Sequence, residues 1–192
     1  IDQNLSKLFS LELEERCKAM GAELDGRDLC FMAFGGQCCM AANSITLDGR
    51  LQDGPLGIIL SLYALNAVSD PVQLQPFKAF KEFPDSMPYV GAFTSHTEQI
   101  LVTAVDKIQH RRQEIMDAMA GETAPTDVGG DSAILVRPLP KIALCYIFYD
   151  ADEDFPASVT CLYSNNANCF MPMDGLADVG EYTSRAILEM VK

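Results

Sequence analysis

The most apolar stretch of the chain, Leu56-Gly57-Ile58-Ile59-Leu60-Ser61-Leu62-Tyr63-Ala64-Leu65-Asn66-Ala67, limits what everything around it can be. A bilayer-spanning helix needs about 20 apolar residues, and this run falls well short. Asp53-Gly54-Pro55 in front of it is a helix start with proline at the first helical position, and Ser69-Asp70-Pro71 behind it is a stop. A helix apolar on all sides has to be enclosed, so the spacing predicts a central core helix with other elements packed round it. With 192 residues to work with, one domain can supply that cover, since chains of this size bury roughly 70% of their unfolded surface.

The flanking elements read as a mixture. Leu5, Leu8, Phe9, Leu13, Cys17 and Met20 recur at steps of three and four and predict one amphipathic helix closed by Gly21. Leu29 to Phe34 and Gln37 to Ala42 read as two strands joined through a Gly35-Gly36 turn, with Asn43 to Leu47 extending the sheet. Residues 71–94 carry Pro71, Pro76, Pro84 and Pro88 among Phe77, Phe80, Phe83, Tyr89 and Phe93, which predicts a packed irregular segment. A long helix is expected from about Thr97 to Ala120, and Gly121 to Ser132 is a Gly/Pro/Asp linker. Ala133 to Val136, Ile142 to Tyr149 and Val159 to Tyr163 are β-rich, and a terminal helix follows Asp174. The expected class is α+β: a single mixed domain over residues 1–192, with a mainly antiparallel sheet packed by three to four helices. The linker at 121–132 is the best internal boundary.

Charge and sulfur bound the function. Lys and Arg number 14 against 27 Asp and Glu, a net charge of -13, so a nucleic-acid backbone is excluded as a partner and no segment suggests a membrane. Seven cysteines leave at least one thiol without an intrachain partner, and their spacings do not suggest a disulfide scaffold. A reducing cytoplasm is the simpler setting, and Ile1-Asp2-Gln3-Asn4 has neither a basic nor an apolar signal region.

Counting outward from a Gly35-Gly36 turn pairs Ala33 with Cys38, Met32 with Cys39 and Cys30 with Ala41, which puts Cys30, Met32 and Cys39 on one face. Three soft sulfur groups there could hold a thiophilic metal or lie against a cofactor; equally, Cys and Met are good core filler. No close C-x2-C pair exists to wrap zinc or an iron-sulfur cluster. Of the two histidines, His96 lies in Ser95-His96-Thr97-Glu98, a capping-box pattern that would set it in a helix's first turn, where the positive helix end favours the neutral ring as a ligand or base. An exposed His without a role fits the pattern too. His110, between Asp106 and Glu114, fits a solvated helix face. Asp150 to Asp154 concentrates carboxylates after a strand; Phe155 and Cys161 stand where an EF-hand needs Gly and Glu, so Asp152 and Asp154 are left as ligands for a hard cation or as parts of an acidic turn. Dinucleotide, phosphate-loop, serine-hydrolase and zincin motifs are absent.

Several stretches resemble a known family: Leu56 to Ala67, Phe80-Lys81-Glu82-Phe83-Pro84, Tyr89-Val90-Gly91-Ala92-Phe93, Gly129-Gly130-Asp131, Pro138 to Leu144, Asp152-Glu153-Asp154-Phe155-Pro156 and Met171-Pro172-Met173-Asp174. Over roughly residues 5–190 the chain is similar to the domain-of-unknown-function family 3786 of anaerobic bacteria and archaea. The resemblance implies no defined activity. It implies a neighbourhood of metallocofactors, because some relatives join this domain to a cysteine-rich iron-sulfur segment of the kind found in corrinoid proteins; this chain has no such segment.

The leading expectation is a non-catalytic, cytoplasmic binding protein for a transition metal or a metallocofactor, a tetrapyrrole among the choices, with a redox or corrinoid protein as partner. Cofactor contacts are expected from His96, Cys30, Met32, Cys39 and Phe93, with the 71–94 segment, Met40, Met171 and Met173 lining an apolar slot; metal ligands are expected from His96, Cys39, Asp152 and Asp154. The alternatives are an enzyme using Cys38 or Cys39 with His96 and an acid from Asp152 to Asp154, and a protein-interaction module.

Overall fold

Tyr63 organises the core from the apolar helix, which is only partly enclosed. Ile58 is 47% exposed and Leu56, Leu62 and Leu65 are half-buried, so packing covers one side of the helix and leaves the other at the surface. In the computed structural model, which describes residues 1–192, this helix is α3 (Pro55–Asn66), with Pro55 at its start and Ile59, Leu60, Tyr63 and Ala64 buried. The Tyr63 hydroxyl donates to the Met20 carbonyl at 2.6 Å and accepts from the Lys141 amide at 3.1 Å, tying the first part of the chain to the last. Burial holds that phenol well above its ordinary titration range, so it stays neutral and serves both bonds. No helix is long and apolar enough to cross a membrane.

Before α3 come α1 (Asp2–Leu8), α2 (Leu13–Met20) and a five-stranded antiparallel meander: β1 (Glu23–Asp25), β2 (Asp28–Ala33), β3 (Gly36–Ala41), β4 (Ser44–Leu47) and β5 (Arg50–Leu51). The expected single first helix is two, because Ser10 Oγ takes the Lys7 carbonyl at 2.7 Å and ends α1. Gly21 closes α2 in the left-handed conformation at φ 69°, as its position suggested. The hairpin turn lies one residue earlier than Gly35-Gly36. Phe34 and Gly35 take the two positive-φ places at 50° and 84°. Gly36 starts β3, where a Cβ would stand 2.6 Å from Asp48 Oδ2. The register accordingly pairs Ala33 with Gly36, Phe31 with Cys38 and Cys30 with Cys39. A two-residue shift leaves the faces unchanged, so Leu29, Phe31, Cys38 and Met40 point into the core and Cys30, Met32 and Cys39 point away.

After α3 the irregular segment holds β6 (Lys78–Ala79), a 3₁₀ turn at Phe80–Glu82, and α4 (Val90–Phe93). The long helix expected from Thr97 begins seven residues earlier, at Val90. It runs from α4 through a π-helical turn at Thr94–Gln99 into α5 (Ile100–Val102), then breaks into α6 (Val105–His110) and α7 (Arg112–Ala118). The second sheet is ordered β6-β10-β9-β8-β7, all antiparallel, from β7 (Glu122–Thr123), β8 (Ser132–Leu139), β9 (Ile142–Tyr149) and β10 (Ser158–Tyr163). The chain ends in α8 (Met173–Met190). The class is thus mixed α+β, with two antiparallel sheets where one was expected.

The central strand β9 is buried on both faces, which explains why Ile142 to Phe148 shows no polar alternation. Tyr146 and Phe148 join one core of 42 residues shared with α3, α8 and the first sheet. Ala143, Cys145 and Ile147 pack a smaller cluster with Leu135 and Ala124 under the segments holding Leu74, Phe77 and Val128. The 121–132 segment therefore lies against the second sheet, with β7 as its edge strand.

Candidate functional site

Phe93 and His96 reach one site by a helix that starts earlier than its capping pattern suggested. Because α4 already begins at Val90, Ser95 is inside the helix and the capping box does not form. Glu98 turns inward instead: its Oε1 accepts from the Cys161 amide at 3.0 Å, and burial raises its carboxyl above the ordinary value. The π-helical turn adds a residue to one helical turn, a distortion frequent at functional sites. Buried hydroxyls hold it. Ser184 Oγ, on α8, donates to the Thr97 carbonyl at 2.7 Å and lies 3.0 Å from the Tyr146 hydroxyl of β9. Gly180 lets α8 come this close, since a Cβ there would stand 2.7 Å from both Phe93 Cε2 and the Tyr163 hydroxyl and 3.0 Å from Thr97 Oγ1.

Phe93 is buried, stacked on Phe80 with ring centroids 4.4 Å apart, and packed at 5.8 Å against Tyr163. It supports the site from beneath. His96, its side chain 53% exposed, donates from Nδ1 to Glu181 Oε2 at 3.1 Å. Glu181 is itself gripped by Arg185, from Nε at 2.9 Å and from the terminal nitrogen at 2.8 Å. A carboxylate on Nδ1 fixes the ring and leaves Nε2 as the free nitrogen, the arrangement in which histidine ligates a metal.

A cavity of about 120 Å³ surrounds this pair, lined also by Tyr89, Thr97, Asp174 and Asp178. Burial, with Glu181 and Asp174 nearby, raises the Asp178 carboxyl. Tyr89 and Asp174 continue into a groove of about 560 Å³ walled by Pro84, Pro88, Met171 and Met173. The expected slot is thereby assembled in part: Phe93 and His96 line the smaller cavity, whereas Met171 and Met173 border the groove beside it, and the two share Tyr89 and Asp174. Met32 does not join them, and Met40 is fully buried in the core. Thr97 Oγ1, on the cavity wall, and Ser86 Oγ, in the same segment, are buried side-chain oxygens without a hydrogen-bond partner. Tyr89 belongs to the 71–94 segment expected to line the slot, whereas Glu181 is a partner not singled out from the sequence. Asp174, Asp178 and Glu181 recur at steps of four and three, one acidic stripe on α8, and that signal was there to find.

The sulfur face is a different place. Cys30 and Cys39 are directly opposite each other, Cα atoms 4.2 Å apart, and joined in a disulfide, so in this structure neither sulfur is a thiolate ligand. Cys30 and Met32 line a cavity of about 400 Å³ with Arg137, Gln37 and Pro140, none of which touches the His96 cavity. Cys38 faces the core, fully buried, and burial pushes its thiol up to about 12. The Cys/His pair of the enzyme alternative is accordingly not assembled.

The acidic loop is a third place. Asp152 Oδ1 accepts the amides of Asp154 and Phe155 at 2.8 and 2.7 Å, closing a turn on the surface, while Asp154 is exposed. His96, Cys39, Asp152 and Asp154 thus do not converge, because they stand on the π turn, the first sheet and the β9–β10 loop. Nowhere do three or more His, Cys, Asp or Glu side chains form a group able to hold a metal ion. His110 bonds the Asp106 carbonyl at 2.6 Å at the end of α6.

No curated protein and no solved structure gives a significant match. The profile of the family DUF3786, a domain of unknown function, matches residues 12–186, nearly the whole chain, and the protein belongs to that family.

Proposed function

We propose that the protein is a non-catalytic binding protein for a metallocofactor, a tetrapyrrole first among them, taken up in the groove between residues 84–97 and the start of α8. The observation that carries this reading is the Arg185–Glu181–His96 chain, which presents one oriented imidazole in a small cavity. At Tyr89 and Asp174 that cavity adjoins a groove of mixed lining, with Met171, Met173 and prolines alongside Asp85 and Asn168. The donor set favours a metal already held by a macrocycle over a bare ion, since the protein offers one ligand here and no three-residue cluster anywhere. Such a group would bring its other ligands and any redox chemistry with it. The chain's own residues do the rest: Glu181 holds the His96 ring, Arg185 holds Glu181, and Pro84, Pro88, Met171 and Met173 offer the groove's apolar contacts. A groove of about 560 Å³ is within the usual range for small-molecule sites, about 300–1,000 Å³.

Three of the stretches that resemble the family, those holding Pro84, Tyr89 to Phe93, and Met171 to Asp174, meet at this groove, which further supports it as the family's working surface. A cytoplasmic setting, an anaerobic host and a redox or corrinoid partner complete the reading; five unpaired cysteines suit a reducing compartment.

The test is optical titration of anaerobically purified protein with haem and, separately, with a corrinoid. Saturable one-to-one binding is expected for at least one of them, with an absorption band that moves in His96→Ala. If neither spectrum changes and the native protein carries no chromophore and no stoichiometric metal, the proposal is wrong.

A further inference from the structure

The Cys30–Cys39 pair lies outside the groove, and its surroundings are not those of a stabilising staple. It joins two strands already paired by the backbone across a two-residue turn. The five other cysteines are unpaired, four of them buried, so the chain as a whole is not an oxidised scaffold. The bond is also reachable. Cys30 and Cys39 are half-buried, whereas Cys38 beside them is sealed in the core. Met32, on the same face, is 52% exposed.

We infer that Cys30–Cys39 is a thiol–disulfide exchange site that takes a dithiol reductant through the cavity of about 400 Å³ bordered by Met32, Gln37 and Arg137. Cys30 lines this cavity and Cys39 does not, so the incoming thiolate attacks Cys30 Sγ. The Cys30–Cys39 bond breaks, Cys39 leaves as thiolate and takes a proton from water, and a mixed disulfide forms at Cys30. The reductant's second thiol, losing its proton to water, then attacks its own sulfur in that mixed bond and releases the Cys30 thiolate, which is protonated. Two electrons pass from the dithiol, which becomes a disulfide, to the protein, which becomes a dithiol. Arg137, which also binds Glu122 at 2.7 Å, places a cation on the route of the attacking thiolate, and exposed Met32 offers an apolar contact for its carrier. The adjacent strand sets Glu23 opposite Cys30, so the row Glu23, Cys30, Cys39, Thr46 crosses one face of the sheet.

The experiment uses the full chain with Cys169, the one exposed free thiol, changed to serine. Native protein is treated with dithiothreitol, quenched by alkylation and mapped by mass spectrometry, then reoxidised with oxidised glutathione. Loss and return of the 30–39 bond within minutes, with circular dichroism unchanged, is expected. Glutathione trapping separates the two sulfurs: Cys39→Ser should form a mixed disulfide at Cys30 at least about tenfold faster than Cys30→Ser forms one at Cys39. A bond that resists dithiothreitol until denaturant is added overturns the proposal, as does a pair that does not re-form. Equal or inverted trapping rates overturn the assignment of attack to Cys30.

Discussion

The hairpin and the groove are built on opposite principles. In the hairpin, Cys30 and Cys39 meet across nine residues through a turn and a register that neighbouring residues set. In the groove, His96 and Glu181 meet across 85 residues, and they do so only because a π turn, a glycine on α8 and a stack of aromatic rings hold two helical segments together. A local site should survive damage to the rest of the core, and a long-range site should not.

The largest expected effect tests that difference directly. Phe93→Ala removes a buried ring from the Phe80–Tyr163 stack and should cost about 3–5 kcal/mol, with binding in the groove lost. Urea denaturation measures the first and optical titration the second, while the 30–39 bond should remain as reactive in the folded variant as in the wild type. Gly180→Ala should cost up to about 3 kcal/mol, because the new Cβ meets the Phe93 ring and the Tyr163 hydroxyl. A melting temperature lowered by less than about 2 °C would mean that α8 can shift and that its close approach is not needed.

On the other side of the comparison, Cys30→Ser with Cys39→Ser should lower stability by less than about 1 kcal/mol, because the strands it joins are already paired, and leave groove binding unchanged. Loss of binding in that variant would show that the two regions are coupled. Glu98 supplies a pH test. Its carboxyl is raised above the ordinary 4.5 by burial, so the folded state holds the proton more tightly than the unfolded state. The stabilisation is full below about pH 4.5 and is lost as pH rises through the folded-state value. Glu98→Gln keeps an acceptor for the Cys161 amide without the charge, so its denaturation midpoint should match the wild type near pH 4 and exceed it near pH 8. The smallest effect on stability is expected from His96→Ala, within about 0.5 kcal/mol because the ring is half exposed. Its signature should be spectral alone.

The same division governs what could be read from the sequence. The faces of the hairpin were legible although the turn was misplaced, since a two-residue register shift preserves the alternation of strand side chains. The boundaries of α3 and the capping role of Gly21 were legible because proline and glycine act locally. Ser95-x-x-Glu98 misled for the same reason: it is a good local start signal, overridden by a helix that begins at Val90 and by the Cys161 amide that claims Glu98. Residues at 84–97 and 171–181 gave no sign of facing one another beyond the Pro-rich, Met-rich composition that suggested a slot.

The sequence by itself determined the α+β class, the bounds of the apolar helix, the packed aromatic segment and the sulfur-bearing face, because each depends on periodicity or on turn chemistry within a few residues. Only the tertiary structure decided that the sulfur face and His96 are separate sites and that Glu181 orients the histidine. These depend on which distant segments share one core, and that follows from the summed packing of 42 buried residues and not from any stretch of the chain alone.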